Sequence, residues 1–106
     1  MFVSRLYGSE NAGRIGLTTM AKIEIYTSPF CGFCHRAKRL LAQKNADFQD
    51  IDVMMHRKRK AEMIARAGGR TTVPQIFIDG RHIGGCDELY ALEAEGRLDA
   101  LLAGAA

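Results

Sequence analysis

The chain has 106 residues, 47% of them hydrophobic and 25% charged, with eleven Gly, two Pro and a formal net charge of +3. That length supports one domain with a single modest core. No apolar run approaches the ~20 residues that cross a bilayer, which excludes a membrane span, and the mild positive charge does not imply a nucleic-acid partner.

Residues 1–19, MFVSRLYGSENAGRIGLTT, carry no hydrophobic periodicity and no apolar stretch of secretory type, and read as a flexible N-terminal extension. A start codon upstream of the natural one accounts for such a segment; a transit peptide is the alternative, since Arg5 and Arg14 outnumber Glu10. From residue 20 to 106 the chain reads as one structured domain. Lys22 to Thr27 (KIEIYT) alternates polar and apolar residues and predicts a strand, punctuated by Ser28-Pro29. From Cys34 to Asn45, Ala37, Leu40 and Leu41 fall at helical spacing and give one buried stripe. Asp47 to Val53 alternates again through Phe48, Ile51 and Val53. His56 to Ala67 predicts a helix burying Ala61, Ile64 and Ala65, ended by Gly68-Gly69. Gln75 to Asp79 is a compact apolar strand, Asp79-Gly80 a hairpin signal, and Arg81 to Gly84 the return strand. Cys86 to Glu95 and Leu98 to Leu102 close the chain as a helix broken at Gly96.

The order β-α-β-α-β-β-α makes the first two strands parallel through a right-handed crossover, and the hairpin adds an antiparallel edge. The expected fold is α/β and thioredoxin-like: a mixed four-stranded sheet flanked by helices.

Chemistry concentrates at Cys31-Gly32-Phe33-Cys34-His35. The pattern fits covalent haem attachment, half a zinc site or a thiol–disulfide pair. Haem attachment implies export and a helical envelope, which this chain lacks, and His35 shares its helix with Arg36, Lys38 and Arg39. Zinc could draw on Cys31, Cys34, His82 and Cys86, but 47 residues separate the two halves, against the ~12–20 of compact zinc modules. Redox chemistry explains the placement. Cys31 lies after a strand and at the start of a helix, where free backbone N–H groups and the macrodipole stabilise a thiolate. Cys34 follows one turn later, with the Cα atoms at roughly the 5–6 Å that a disulfide prefers. Three cysteines do not make the even framework of a secreted domain, so a cytoplasmic protein with chemically active thiols is expected. Pro74, in Thr72-Val73-Pro74, precedes the third strand and supplies no N–H.

Two segments, TSPFCGFCHRAKRLL and GRTTVPQIFIDGRHIGGCDELYALEAEGRLDALL, make the chain resemble the bacterial dithiol glutaredoxins over essentially Ala21 to Leu102. The resemblance implies a glutathione-dependent disulfide oxidoreductase acting on protein disulfides and glutathione mixed disulfides, with glutathione as co-substrate and no metal required. It implies Cys31 as nucleophile, Cys34 as resolving thiol, and a cis peptide before Pro74. Thr72, Val73 and Pro74 are implied to face the cysteinyl part of glutathione, Gly85, Cys86 and Asp87 the γ-glutamyl end, Arg70 the glycine carboxylate, and Phe33 an apolar wall. The partners implied are glutathione and disulfide-containing or glutathionylated proteins, met by a monomer. Cys86 reads as a small residue at a helix start, not a third redox group, and His56 to Lys60 as a solvated basic face that helps attract anionic glutathione.

The chain departs from the family pattern at Gly32 and Phe33, where the dithiol class often has Pro-Tyr, and at Ser28, commonly Lys. The missing cation leaves more of the thiolate stabilisation to the helix terminus. Cys-Gly-Phe also begins the motif of the monothiol class. Some members of the wider family bridge a [2Fe–2S] cluster between two protomers through the nucleophilic cysteine and glutathione, and Gly32, in place of proline, frees the loop beside the sulfur. An iron–sulfur carrier is therefore the alternative function.

Overall fold

The structure, a computed structural model, describes residues 21–104. The expected extension, residues 1–19, lies outside them. Strand β1 (Ile23–Thr27) leads into helix α1 (Gly32–Gln43), then β2 (Gln49–Asp52), α2 (Arg57–Arg66), the hairpin β3 (Gln75–Ile78) and β4 (Arg81–Gly84), and finally α3 (Cys86–Ala94) and α4 (Leu98–Leu102). The sheet order is β2-β1-β3-β4. β1 runs parallel to β2 and antiparallel to β3, and β3 is antiparallel to β4, which is the thioredoxin-like arrangement expected.

β1 is central and buried along its whole length although its sequence alternates. Helices cover both sheet faces, so the polar positions are enclosed as well. Ile23 and Ile25 join Ala37, Leu40, Leu41, Ile76, Leu89 and Leu98 in the larger core. Tyr26 joins Ile51, Met63 and Phe77 in a second one. Glu24 on that second face keeps its charge by pairing with Arg66: Nη2 lies 2.9 Å from Glu24 Oε1, and Nη1 donates to Tyr26 Oη at 2.8 Å. The same guanidinium sits 4.1 Å from the centroid of the Phe77 ring.

Turn chemistry sets the boundaries. Asp79 and Gly80 have φ of +52° and +80°, the positive pair of a two-residue hairpin turn, so β3 stops at Ile78. Gly96 at φ +73° separates α3 from α4. The expected stripe of α1 is buried as read. That of α2 is not: Ala61 and Ala65 are exposed and Ile64 half-buried, while Met63 and Ala67 face the sheet. Met63 and Ala67 lie four residues apart on one helical face, and Arg66 beside them covers Phe77 with its long stem and planar head. Among the described residues no helix is long and apolar enough to cross a membrane.

Candidate functional site

The chain leaves the carboxyl end of β1 through Ser28-Pro29-Phe30 and turns into α1 at Cys31. Helix α1 begins at Gly32, two residues before the expected start at Cys34, because Cys31 itself is the N-cap, with extended φ and ψ of −103° and 113°. Its sulfur accepts the Cys34 backbone N–H at 3.1 Å, taking the place of the oxygen that usually caps a helix. Across the cleft, Cys31 Sγ lies 3.6 Å from the Val73 carbonyl oxygen, and the Val73–Pro74 peptide is cis. Cys31 is half-buried. A sulfur held there meets one backbone donor at the start of a helix and faces a carbonyl oxygen across the cleft.

Cys34 is fully buried one turn below. Burial, with a smaller contribution from its hydrogen bond to Cys31, pushes its thiol up to about 12; the Ser28 backbone and Lys38 act in the opposite direction. The two cysteines are therefore unequal, one accessible sulfur above one protonated reserve. Phe33 and Phe30 stand at the rim, 57% and 84% exposed.

The third wall is the start of α3. Gly85 is its N-cap, and its N–H donates to Glu88 Oε1 at 2.6 Å, leaving the helix-start donors of Cys86 and Asp87 for anything beyond the chain. Cys86 is buried, with its thiol raised by desolvation, so it can face a ligand through its backbone. A Cβ at Gly85 would lie 3.2 Å from the Pro74 carbonyl oxygen, so glycine lets α3 close on the Thr72–Pro74 segment.

Arg70 lies beside the start of α3. Its Nη1 lies 3.7 Å from Glu88 Oε1, and its Nη2 approaches Gly85, so the side chain leans on the start of α3. Next to Ser28 and Val73 a groove of about 360 Å³ is lined also by Val53, Met54, Arg57, Lys60 and Thr71. Its two cations come from the basic run that reads in sequence as a solvated face. His35 is exposed, its Nε2 3.2 Å from the Pro29 carbonyl oxygen. Among the described residues no three His, Cys, Asp or Glu side chains gather at metal-binding distance, and His82 turns to Gln75, so the zinc set of Cys31, Cys34, His82 and Cys86 is not assembled.

The Glutaredoxin family model matches residues 23–83. The chain is 58% identical over 83 residues to Glutaredoxin 3 of Escherichia coli K12, covering 78% of this chain and 99% of that protein. Among solved structures, the glutaredoxin of Brucella melitensis superposes with a TM-score of 0.70 at 55% identity, over 79% of this chain and 90% of that one. A buckwheat glutaredoxin–glutathione complex gives 0.72 at 32% identity, over 84% of each chain. The accessible Cys31, the buried Cys34 and the Val73 carbonyl thus lie in a chain that belongs to the glutaredoxin family, thiol oxidoreductases of thioredoxin-like fold.

Proposed function

We propose that the protein is a glutathione-dependent thiol–disulfide oxidoreductase with Cys31 as nucleophile and Cys34 as resolving thiol. One observation carries the reading: the Cys31 sulfur caps α1 through the Cys34 N–H, 3.6 Å from the Val73 carbonyl, with the Cys34 thiol buried below. The Cys31 thiolate attacks the glutathione sulfur of a protein–glutathione disulfide. The protein thiol leaves, and Cys31 is glutathionylated. A second glutathione thiolate attacks the glutathione sulfur on Cys31, forms oxidised glutathione and returns the Cys31 thiolate. On a protein disulfide, Cys31 forms a mixed disulfide with one substrate sulfur and frees the other; Cys34 then attacks Cys31, forming the Cys31–Cys34 disulfide and releasing the reduced substrate, and two glutathione thiols reduce that disulfide and leave as oxidised glutathione.

Glutathione lies across the Cys31 cleft. Its cysteinyl backbone pairs with Val73, beside Thr72 and Pro74, and Phe33 walls its thiol. The γ-glutamyl end meets the helix-start N–H groups of Cys86 and Asp87, next to Gly85 and Arg70, while the Asp87 carboxylate attracts its ammonium. The glycine carboxylate enters the groove with Arg57 and Lys60, in place of the Arg70 assignment. The buckwheat complex supports glutathione as ligand at the level of the family. The same reading expects a monomer in the reducing cytoplasm, with glutathione and glutathionylated or disulfide-bonded proteins as partners.

Purified protein in a glutathione-coupled assay with a glutathionylated peptide tests this. Turnover is expected, and turnover surviving in Cys31→Ser overturns it.

A [2Fe–2S] carrier remains the second reading because a Cβ at Gly32 would meet nothing within 4 Å, leaving open space beside the half-buried Cys31. Cys31 and glutathione would hold the cluster between two protomers. Anaerobic reconstitution with iron, sulfide and glutathione that leaves the protein colourless removes this reading.

A further inference from the structure

Gln75 opens β3 directly after Pro74 and is fully buried. Its side chain folds back over the proline. Nε2 donates to the Thr72 carbonyl at 3.0 Å and to Thr72 Oγ1 at 3.3 Å, and Oε1 meets His82 Nε2 at 2.6 Å across the hairpin. These directions are forced. A carbonyl only accepts, so the Gln75 NH2 group must face Thr72, which leaves Oε1 for His82 and requires the His82 proton on Nε2. His82 is steadied in turn by stacking on Phe77, with ring centroids 5.0 Å apart and planes 29° from parallel.

The consequence falls on the peptide unit joining Thr72 and Val73. Among the described residues only Val73–Pro74 is cis, so this unit is trans, and its C=O and N–H point in opposite directions within one rigid plane. Pinning the Thr72 carbonyl towards Gln75 turns the Val73 N–H to the other side. Val73 precedes a proline and is steered to extended backbone, where a residue's own N–H and C=O share a side. Its C=O is the one 3.6 Å from Cys31 Sγ, so both groups face the Cys31 cleft.

We propose that Gln75, oriented by His82, is a positioning residue that aims the Val73 N–H and C=O at the cysteinyl backbone of the bound thiol. The assignment rests on the glutathione reading above for the identity of that thiol.

The test uses Gln75→Met, which keeps the volume and removes both hydrogen bonds, and His82→Phe, which keeps the stacking and removes the donor. Gln75→Met is expected to raise KM for a glutathionylated peptide about fivefold, the worth of one hydrogen bond. Its kcat and the rate of Cys31 alkylation by iodoacetamide should stay unchanged. His82→Phe should raise KM in the same direction by about half that factor, and His82→Gln, which retains an N–H donor, should restore it. In the free reduced protein, the Val73 amide should show increased mobility by 15N relaxation in Gln75→Met and in His82→Phe. An unchanged KM with an unchanged Val73 amide overturns the proposal, as does a joint fall in kcat and alkylation rate, the mark of general damage to the Cys31 site. If Gln75→Met does not fold, His82→Phe, at an exposed position, decides by the same readouts. If the wild-type protein fails to turn over the glutathionylated peptide, the glutathione reading falls, and the Val73 amide still decides whether Gln75 positions that strand.

Discussion

The backbone N–H of Cys34 donates to the sulfur of Cys31 at 3.1 Å while the Cys34 side chain is fully buried beneath it. One residue thus contributes twice to the same sulfur, through a main-chain donor that any residue retains and through a thiol that only cysteine has. Replacing Cys34 by Ser separates the two. The donor stays and the thiol goes, so Cys34→Ser should keep deglutathionylation within a few-fold of wild type while losing most reduction of protein disulfides. Cys31→Ser should lose both. Parallel assays with a glutathionylated peptide and a disulfide-bonded protein measure this, and equal losses in the two for Cys34→Ser would contradict a resolving role.

The protonation of Cys34 gives that role a pH dependence. Its thiol is pushed from an ordinary 9.0 up to about 12, first by burial and then by its bond to Cys31. When Cys31 enters a mixed disulfide, the contribution of the Cys31 sulfur disappears and burial remains. Resolution by Cys34 should therefore quicken as pH rises through the neutral and alkaline range, and a rise that persists undiminished in single-turnover reactions of Cys34→Ser, which has no Cys34 thiol, would assign it to another group. The linkage to folding has a definite sign. The fold favours the protonated thiol, so the associated stability is present below pH 9 and is lost as pH climbs from 9 towards 12. Stopped-flow reduction and denaturant titrations across that range read the two effects.

The parts of the site legible in the sequence are those made by neighbours along the chain. Cys31 and Cys34 sit one turn apart because a strand ends and a helix starts there, and Asp79-Gly80 and Gly96 mark turns by their own φ preferences. What tertiary packing creates was harder to read. Arg57 and Lys60 belong to a basic run indistinguishable from a solvated face until the fold brings α2 beside Ser28 and Thr71. On α2 the sequence pattern points to Ala61, Ile64 and Ala65; Ile64 does pack against the second core, but Met63 and Ala67 are the buried positions, and the Arg66 guanidinium, polar in sequence, lies over Phe77. The Gln75–His82 pair depends on the register of β3 against β4.

Gly32 is the first residue of α1, the position where proline is best tolerated, and Cys31 before it already has the extended backbone that a following proline demands. A Cβ there meets nothing within 4 Å. Gly32→Pro should therefore stabilise the fold by about 0.5–1 kcal/mol, chiefly by restricting the unfolded chain, and raise Tm by a few degrees. Calorimetry checks this. The same variant separates the two functional readings. A redox enzyme retains deglutathionylation in Gly32→Pro, whereas a cluster carrier that depends on the open loop loses its visible absorption after reconstitution.

The groove beside Ser28 carries the cations that a glycine carboxylate needs. Arg57→Met and Lys60→Met should each raise KM for the glutathionylated peptide about two- to fivefold, the range of an exposed ion pair, and the effect should shrink at high salt. Lys58→Met, in the same basic run but outside the groove, should leave KM unchanged. A uniform response of all three would show that only net charge matters there.

Arg66 ties the second core together by bonding Glu24 and Tyr26 and covering Phe77. Its hydrogen bond holds the Glu24 carboxyl below the usual range against the opposing effect of burial. Arg66→Met keeps the stem but leaves Glu24 unpaired on a covered strand face, and should cost about 2 kcal/mol at neutral pH, the scale of a charged hydrogen bond. Because the folded state lowers the proton affinity of Glu24, this contribution is present above the carboxyl's ordinary 4.5 and is lost as pH falls through the depressed value. The stability gap between wild type and Arg66→Met, read from urea unfolding, should therefore narrow on acidification. A gap that stays constant from neutral pH down past 4 would assign the role of Arg66 to its packing on Phe77 and not to its charge.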